Sequence, residues 1–95
     1  MQFHRKIVLH SLSGYHPELD QLVQQFIDSG VIYVGVVGLD ASRIEDIIME
    51  LCVGDGSAPY EMLNSFHEHE TLAEVVDFAR SLTADFAGEV QVVEF

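Results

Sequence analysis

Hydrophobic residues recur along the chain with two alternating periods, one typical of short strands and the other of amphipathic helices. Apolar, β-branched runs cover residues 5–12 and 31–38. The second run is apolar at nearly every position, which is typical of a strand covered on both faces. A weaker run covers residues 60–66, and an alternating one covers residues 89–95. The pattern therefore predicts four strands.

Three stretches between these runs have the spacing of helices with one buried face. Their apolar positions are Leu19, Leu22, Val23, Phe26 and Ile27, then Ile44, Ile47, Ile48 and Leu51, and finally Leu72, Val75, Val76, Ala79 and Leu82. Pro17 and Gly30 suit the start and the end of the first helix. Asp40 or Ser42 can cap the second helix, where Ser42-x-x-Glu45 matches a capping box, and Thr71-x-x-Glu74 predicts another box at the start of the third.

The resulting order, β-α-β-α-β-α-β, predicts one small three-layer α/β domain over residues 1–95. Its sheet is expected to be doubly wound, four-stranded and mostly parallel, with helices on both faces. Strand order 3-2-1-4 places the apolar second strand inside the sheet and the third strand at an edge. Order 2-1-3-4 would leave the second strand at an edge, as a homodimer interface. We favour 3-2-1-4, because the third strand carries Glu61, Asn64 and Ser65.

This element order resembles flavodoxin-like and Rossmann-like units. The resemblance rests on the order of strands and helices, so it concerns the fold and supplies no function.

Charge restricts the possible functions further, because the chain has 16 acidic residues and only four basic ones, for a net charge of -12 at pH 7. Such a surface repels phosphates, so we expect no direct binding to nucleic acid or anionic membranes. The longest apolar run falls far short of the roughly 20 residues of a membrane helix. His10 interrupts the first apolar run, which makes a signal peptide improbable. The single Cys52 lies in a helical pattern and is expected to be buried in a cytoplasmic protein.

The acidic residues are spread along the chain without a block of like charge. This spread favours a solvated surface on an interaction module without enzymatic activity, which binds a protein partner or forms a homodimer. Two alternatives remain. An acidic inhibitor could imitate nucleic acid and occupy a basic surface of its partner, or the domain could bind metal or act as a small hydrolase.

Binding residues are expected in the loops that follow the strands, because ligands of open α/β sheets bind outside the carboxyl ends of the strands. These loops supply a predicted ligand-binding crevice made of Tyr15, His16, Asp40, Ser42, Arg43, His67 and His69. For Arg43 the spacing favours an ion pair with Glu45, Asp46 or Glu50 on the second helix, and Asp46 is the best placed of the three. His10, within an apolar strand, is expected to be half-buried.

The segment His67-Glu68-His69-Glu70-Thr71 contains the most conspicuous polar pattern. Residues two apart in an extended segment point the same way, so His67 and His69 could bind one divalent metal ion. Asp40 could join them under order 3-2-1-4, and His16 under order 2-1-3-4. Either histidine could also serve as a general base. However, no Cys-x-x-Cys, His-Glu-x-x-His or Gly-x-Ser-x-Gly motif accompanies them.

A simpler interpretation of this segment needs no ligand. Negative charge before a helix stabilises its exposed N–H groups, and Glu68 and Glu70 have that position. Thr71 can cap the first turn. We favour this interpretation over a metal or catalytic site.

Overall fold

The computed structural model describes residues 3–95, apart from the side chain of Asp85. The predicted order of strands and helices is confirmed, with a short 3-10 helix added near the end. The elements are β1 (Lys6–Ser11), α1 (Leu19–Ser29), β2 (Tyr33–Gly38), α2 (Ala41–Val53), β3 (Leu63–His67), α3 (Leu72–Ser81), the 3-10 helix (Ala84–Phe86) and β4 (Val90–Glu94).

The four strands form one sheet in the order β3-β2-β1-β4, and every pair of neighbours is parallel. One row of the sheet runs through Asn64, Val34, Ile7 and Gln91. The order 3-2-1-4 is thus confirmed. The most apolar strand, β2, lies inside the sheet, and β3 and β4 are its edges.

Helices cover the two faces of the sheet unequally. The face covered by α1 and α2 contains the larger core, in which Ile7, Leu9, Val34 and Val36 of the sheet meet Leu19, Val23, Phe26, Ile44 and Ile48 of the helices. On the other face α3 alone covers a smaller core, formed by Val8, Tyr33, Val37, Val75 and Ala79. The sheet therefore has a thick layer on one face and a single helix on the other.

Of the two predicted capping boxes, one is present in the structure. Thr71 accepts a hydrogen bond from the Glu74 backbone, and the Glu74 side chain accepts one from the Thr71 N–H, which confirms the capping box of α3. The box predicted for α2 is wrong. That helix already begins at Ala41, after Asp40 in a left-handed conformation without a side-chain cap.

β3 lies later in the chain than its apolar residues predict. Residues 60–66 were expected, but the strand covers Leu63–His67. Tyr60 explains the difference, because its backbone N–H donates to Cys52 and its hydroxyl donates to the Val31 carbonyl, at 2.6 Å. These bonds hold Tyr60 at the amino end of the sheet, before pairing with β2 begins.

Two single-residue predictions agree with the structure. His10 is half-buried, and Cys52 is a buried free thiol at the end of α2. Burial raises the pKa of the Cys52 thiol, so it is less reactive than an exposed cysteine.

Candidate functional site

A chain of hydrogen-bonded side chains crosses from β2 to the end of β3 on the face covered by α3. Tyr33 is buried in β2, and its hydroxyl lies 2.6 Å from Ser65 Oγ in the neighbouring strand. Gly35 makes room for this ring, because a Cβ at Gly35 would lie 2.5 Å from the Tyr33 hydroxyl oxygen. The glycine therefore allows a tyrosine to lie along its own strand and reach β3.

Ser65, His67 and Glu70 continue this chain toward the surface. Ser65 and His67 are two apart on β3, so both side chains lie on the same face of the sheet. The Ser65 Oγ to His67 Nε2 distance is 2.8 Å, and His67 Nδ1 lies 2.7 Å from Glu70 Oε1. The His67 side chain is 9% exposed and that of Glu70 is 46% exposed, so this chain of hydrogen bonds ends in solvent.

The chemistry of each group fixes the direction of the bonds when His67 is neutral. An ionised carboxylate only accepts, so His67 Nδ1–H donates to Glu70. His67 Nε2 then accepts from the Ser65 hydroxyl, and Ser65 Oγ accepts from the Tyr33 hydroxyl. Burial raises the pKa of the Tyr33 hydroxyl, partly opposed by its bond to Ser65, and Tyr33 stays a donor at neutral pH.

The surroundings of this chain are apolar on one side and open on the other. The Phe78 ring of α3 lies 5.6 Å from the His67 ring and 6.2 Å from the Tyr33 ring, measured between centroids. α3 packs against β1, β2 and β4, which leaves the neighbouring face of β3 at the margin of the helix layer. Leu63, on the same face of β3, is exposed.

The residues predicted at the loops after β1 and β2 form a separate cluster. The Asp40 carboxylate accepts a hydrogen bond from the Tyr15 N–H at 3.0 Å, and the Arg43 guanidinium lies over the Tyr15 ring, 4.6 Å from its centroid. A Cβ at Gly14 would come 2.7 Å from Asp40 Oδ2, so the glycine permits this approach. The expected ion pair of Arg43 with Asp46 is wrong, because the guanidinium binds the Tyr15 ring instead.

The remaining predicted residues do not join these two clusters. His16 stacks on Phe95 at 3.9 Å, beside an open cavity of about 420 Å³ at the carboxyl end of β4. Ser42 lies half-buried in the first turn of α2, and His69 is exposed in the loop before α3. Within residues 3–95, no group of three or more His, Cys, Asp and Glu side chains could hold a metal ion. Metal binding by His67 and His69 stays a prediction.

A third feature is the free edge of β3. The Leu63 N–H donates to Ile32 at the start of β2, and in a parallel ladder alternate residues bond to the same side. Leu63, Ser65 and His67 therefore bond toward β2, and Asn64 and Phe66 direct their N–H and C=O groups outward. The outward edge is a row of backbone donors and acceptors at the side of the sheet.

Exposed apolar side chains surround this edge on both faces. Phe66 is 49% exposed and Leu63 is 44% exposed, and Met49 and Val53 of α2 are exposed to a similar extent. An open groove of about 950 Å³ continues from the amino end of β3. Its lining includes Met49, Val53, Tyr60, Met62, Leu63 and Phe86. Backbone groups and apolar surface thus coincide along β3.

The sequence motifs did not mark Tyr33 and Ser65 as members of a polar site. The spacing of Ser65 and His67 was a usable signal, because residues two apart on a strand share a face. A second signal was the glycine two positions after a tyrosine in an apolar run, as in Tyr33 and Gly35. The link between them depends on the β2–β3 register, which the spacing alone does not supply.

None of the helices among the described residues has the length and apolar character needed to cross a membrane. No curated protein and no solved structure matches this chain. A family model does match, over residues 5–94, which include all four strands and three helices. The chain therefore belongs to the family described as Domain of unknown function (DUF7684).

Proposed function

We propose that this domain acts as an interaction module that binds an extended, basic segment of a partner protein along β3. The observation that supports the proposal most strongly is the free edge of β3, with its outward backbone groups between exposed apolar side chains. A peptide can add to such an edge as a further strand, so that its backbone gives affinity and its alternate side chains give specificity.

Proteins usually protect an edge strand with charge, proline or a covering segment. β3 has neither a charged residue nor a proline from Met62 to His67. Its outward residue Phe66 is among the exposed large apolar side chains, as is Leu63 on the other face. An unprotected edge of this kind favours pairing with another strand.

Charge favours a basic partner over a second copy of this chain. Glu61 and Glu68 flank the uncharged stretch, and the net charge is -12. Antiparallel pairing of two copies would bring the Glu61 end of each β3 beside the Glu68 end of the other. A segment with lysine or arginine at both ends would instead meet opposite charge, and it would be attracted by the whole domain.

The first experiment is a titration with a synthetic peptide that has an alternating Val-Thr core and two lysines at each end. We expect backbone NMR shifts of residues 62–68 to change most, and the affinity to fall as salt is raised from about 0.05 to 0.5 M. The control peptide has the same core with glutamates in place of the lysines. It should bind far more weakly, because the flanking acids repel it.

Two variants of one residue separate backbone pairing from side-chain contact. Phe66→Pro removes an outward N–H, which edge strands tolerate, and should abolish peptide binding. Phe66→Thr keeps the N–H and removes only the aromatic ring, so it should bind with reduced affinity. Thermal unfolding of both variants checks that they are folded. Equal binding by Phe66→Pro and the parent protein would contradict pairing along β3.

The same titration addresses the acidic-inhibitor alternative. The outer surfaces of α1 and α2 carry exposed acids, among them Asp20, Asp28, Asp46 and Glu50. If binding is lost when these four are changed to amides but survives Phe66→Pro, the basic partner contacts the helices. In that case the β3 proposal is wrong.

A further inference from the structure

We propose that Ser65 is a nucleophile that accepts the acyl group of small carboxylic esters, with His67 as its general base and Glu70 as the residue that orients His67. This activity goes beyond the proposed interaction function and does not depend on it. The inference rests on the order of the three groups. A serine hydroxyl 2.8 Å from one histidine nitrogen, with a carboxylate 2.7 Å from the other, is the arrangement that activates serine in acyl transfer.

The burial of Tyr33 does not by itself account for this arrangement. A buried tyrosine hydroxyl needs one partner, and Ser65 already provides it at 2.6 Å. His67 could satisfy its own nitrogens with water at the margin of the sheet. Instead, Glu70 fixes the His67 tautomer that leaves Nε2 free to accept the Ser65 proton.

Ser65 lies where a small molecule can reach it. Its side chain is half-buried at the margin of the layer formed by α3, beside the exposed Leu63 and the partly exposed Phe78. These two residues offer an apolar surface for the acyl or alcohol part of an ester. The shallow surface suits small, reactive esters.

The reaction proceeds by a balanced exchange of bonds. Ser65 Oγ forms a bond to the carbonyl carbon while its proton moves to His67 Nε2. The ester C–O bond then breaks, and the His67 proton passes to the departing alkoxide. Water attacks the acyl-serine in the same way, with His67 removing its proton and returning one to Ser65 Oγ.

The test uses p-nitrophenyl acetate with the full chain, and it measures both nitrophenol release and the mass of the protein. The parent protein should gain one acetyl group at Ser65 before turnover. Ser65→Ala should lose that adduct, and His67→Gln should slow its formation by about 10²- to 10⁴-fold. Glu70→Gln should slow it less.

Matched controls are Ser57→Ala and His4→Gln, which change exposed residues outside this chain of hydrogen bonds and should leave the rate unchanged. Thermal unfolding identifies any variant that fails to fold. Ser65→Cys gives a second way to test the position, because it keeps a nucleophile and should form a thioester at residue 65. A parent protein without a Ser65 adduct, or an adduct that persists in Ser65→Ala, would overturn the proposal.

Discussion

Lys6 is the only lysine of the chain, and it is fully buried under the end of α3. Its ammonium group donates to the Ala79 carbonyl at 2.7 Å and to the Leu82 carbonyl at 3.3 Å. These carbonyls belong to the carboxyl end of the helix, where free acceptors and the helix dipole favour a positive charge. Lys6 therefore joins β1 to the single helix that covers this face.

We expect Lys6→Met to lower the free energy of unfolding by about 1–3 kcal/mol, because it leaves buried carbonyls without their charged donor. Arg80→Met is the matched control, since it removes an exposed cation from the last turn of the same helix. Its effect should stay within about 0.5 kcal/mol. Urea unfolding measures both. Equal losses would show that positive charge near the carboxyl end of α3 matters and the buried hydrogen bonds do not.

The close contact between Gly35 and the Tyr33 ring can also be tested. Gly35→Ala should destabilise the domain by about 1–3 kcal/mol, because its Cβ would displace the Tyr33 hydroxyl. The cost should shrink in a Tyr33→Phe background, where the nearest atom is gone. A double-mutant cycle by urea unfolding measures this coupling. Strictly additive effects would contradict the close contact.

At the scale of elements, α3 has the best-defined start in the domain. Thr71→Ala should cost about 1 kcal/mol, because the hydroxyl accepts from the Glu74 N–H and no other group replaces it. Thermal or urea unfolding checks the value. Ser42→Ala, which changes the residue of the incorrectly predicted box on α2, should cost less.

Hydrogen bonds from the Thr71 backbone lower the pKa of Glu74 below its ordinary value. A lowered carboxyl pKa stabilises the fold at neutral pH, and this contribution is lost as pH falls through the folded-state pKa. The parent protein should therefore exceed Glu74→Gln in stability at neutral pH, and the difference should vanish in acid. Glu50→Gln, on the exposed surface of α2, serves as the control. A difference that grows toward low pH would contradict this sign.

The elements show which parts of the structure can be predicted from sequence. Local signals succeeded where the partners are close in the chain, as for Thr71 and Glu74. They failed at α2, because the Asp40 carboxylate binds the Tyr15 N–H, 25 residues earlier, instead of capping the helix. The polar chain from Tyr33 to Ser65 spans 32 residues and depends on the register of two strands. Such contacts follow only once the sheet is assembled.

The fold of the whole molecule was predictable because the apolar pattern indicates which strands lie inside the sheet and which lie at its edges. β2 is apolar on both faces and became an interior strand, whereas the more polar β3 and β4 became edges. His67 lies at the end of β3, where the sequence pattern predicted a candidate site, and that role stays a prediction. The bond from Ser65 to Tyr33 depends on the β2–β3 register, which a one-dimensional pattern does not supply.

The net charge of -12 has a consequence for the whole molecule. Like charges repel more strongly in the compact state than in the unfolded chain, and salt screens this repulsion. We expect the melting temperature to rise between about 0.02 and 0.2 M sodium chloride. A melting temperature that falls or stays constant over this range would show that ion pairs offset the repulsion.

We propose that the open edge of β3 accepts a partner strand. Amide hydrogen exchange of Asn64, Ser65 and Phe66 tests it most directly, with and without the lysine-flanked peptide. In the free domain Ser65 should be protected by β2, and Asn64 and Phe66 should exchange quickly. The peptide should protect Asn64 and Phe66 and leave Ser65 as it was. Fast exchange of both outward amides when the peptide is bound would contradict strand addition at β3.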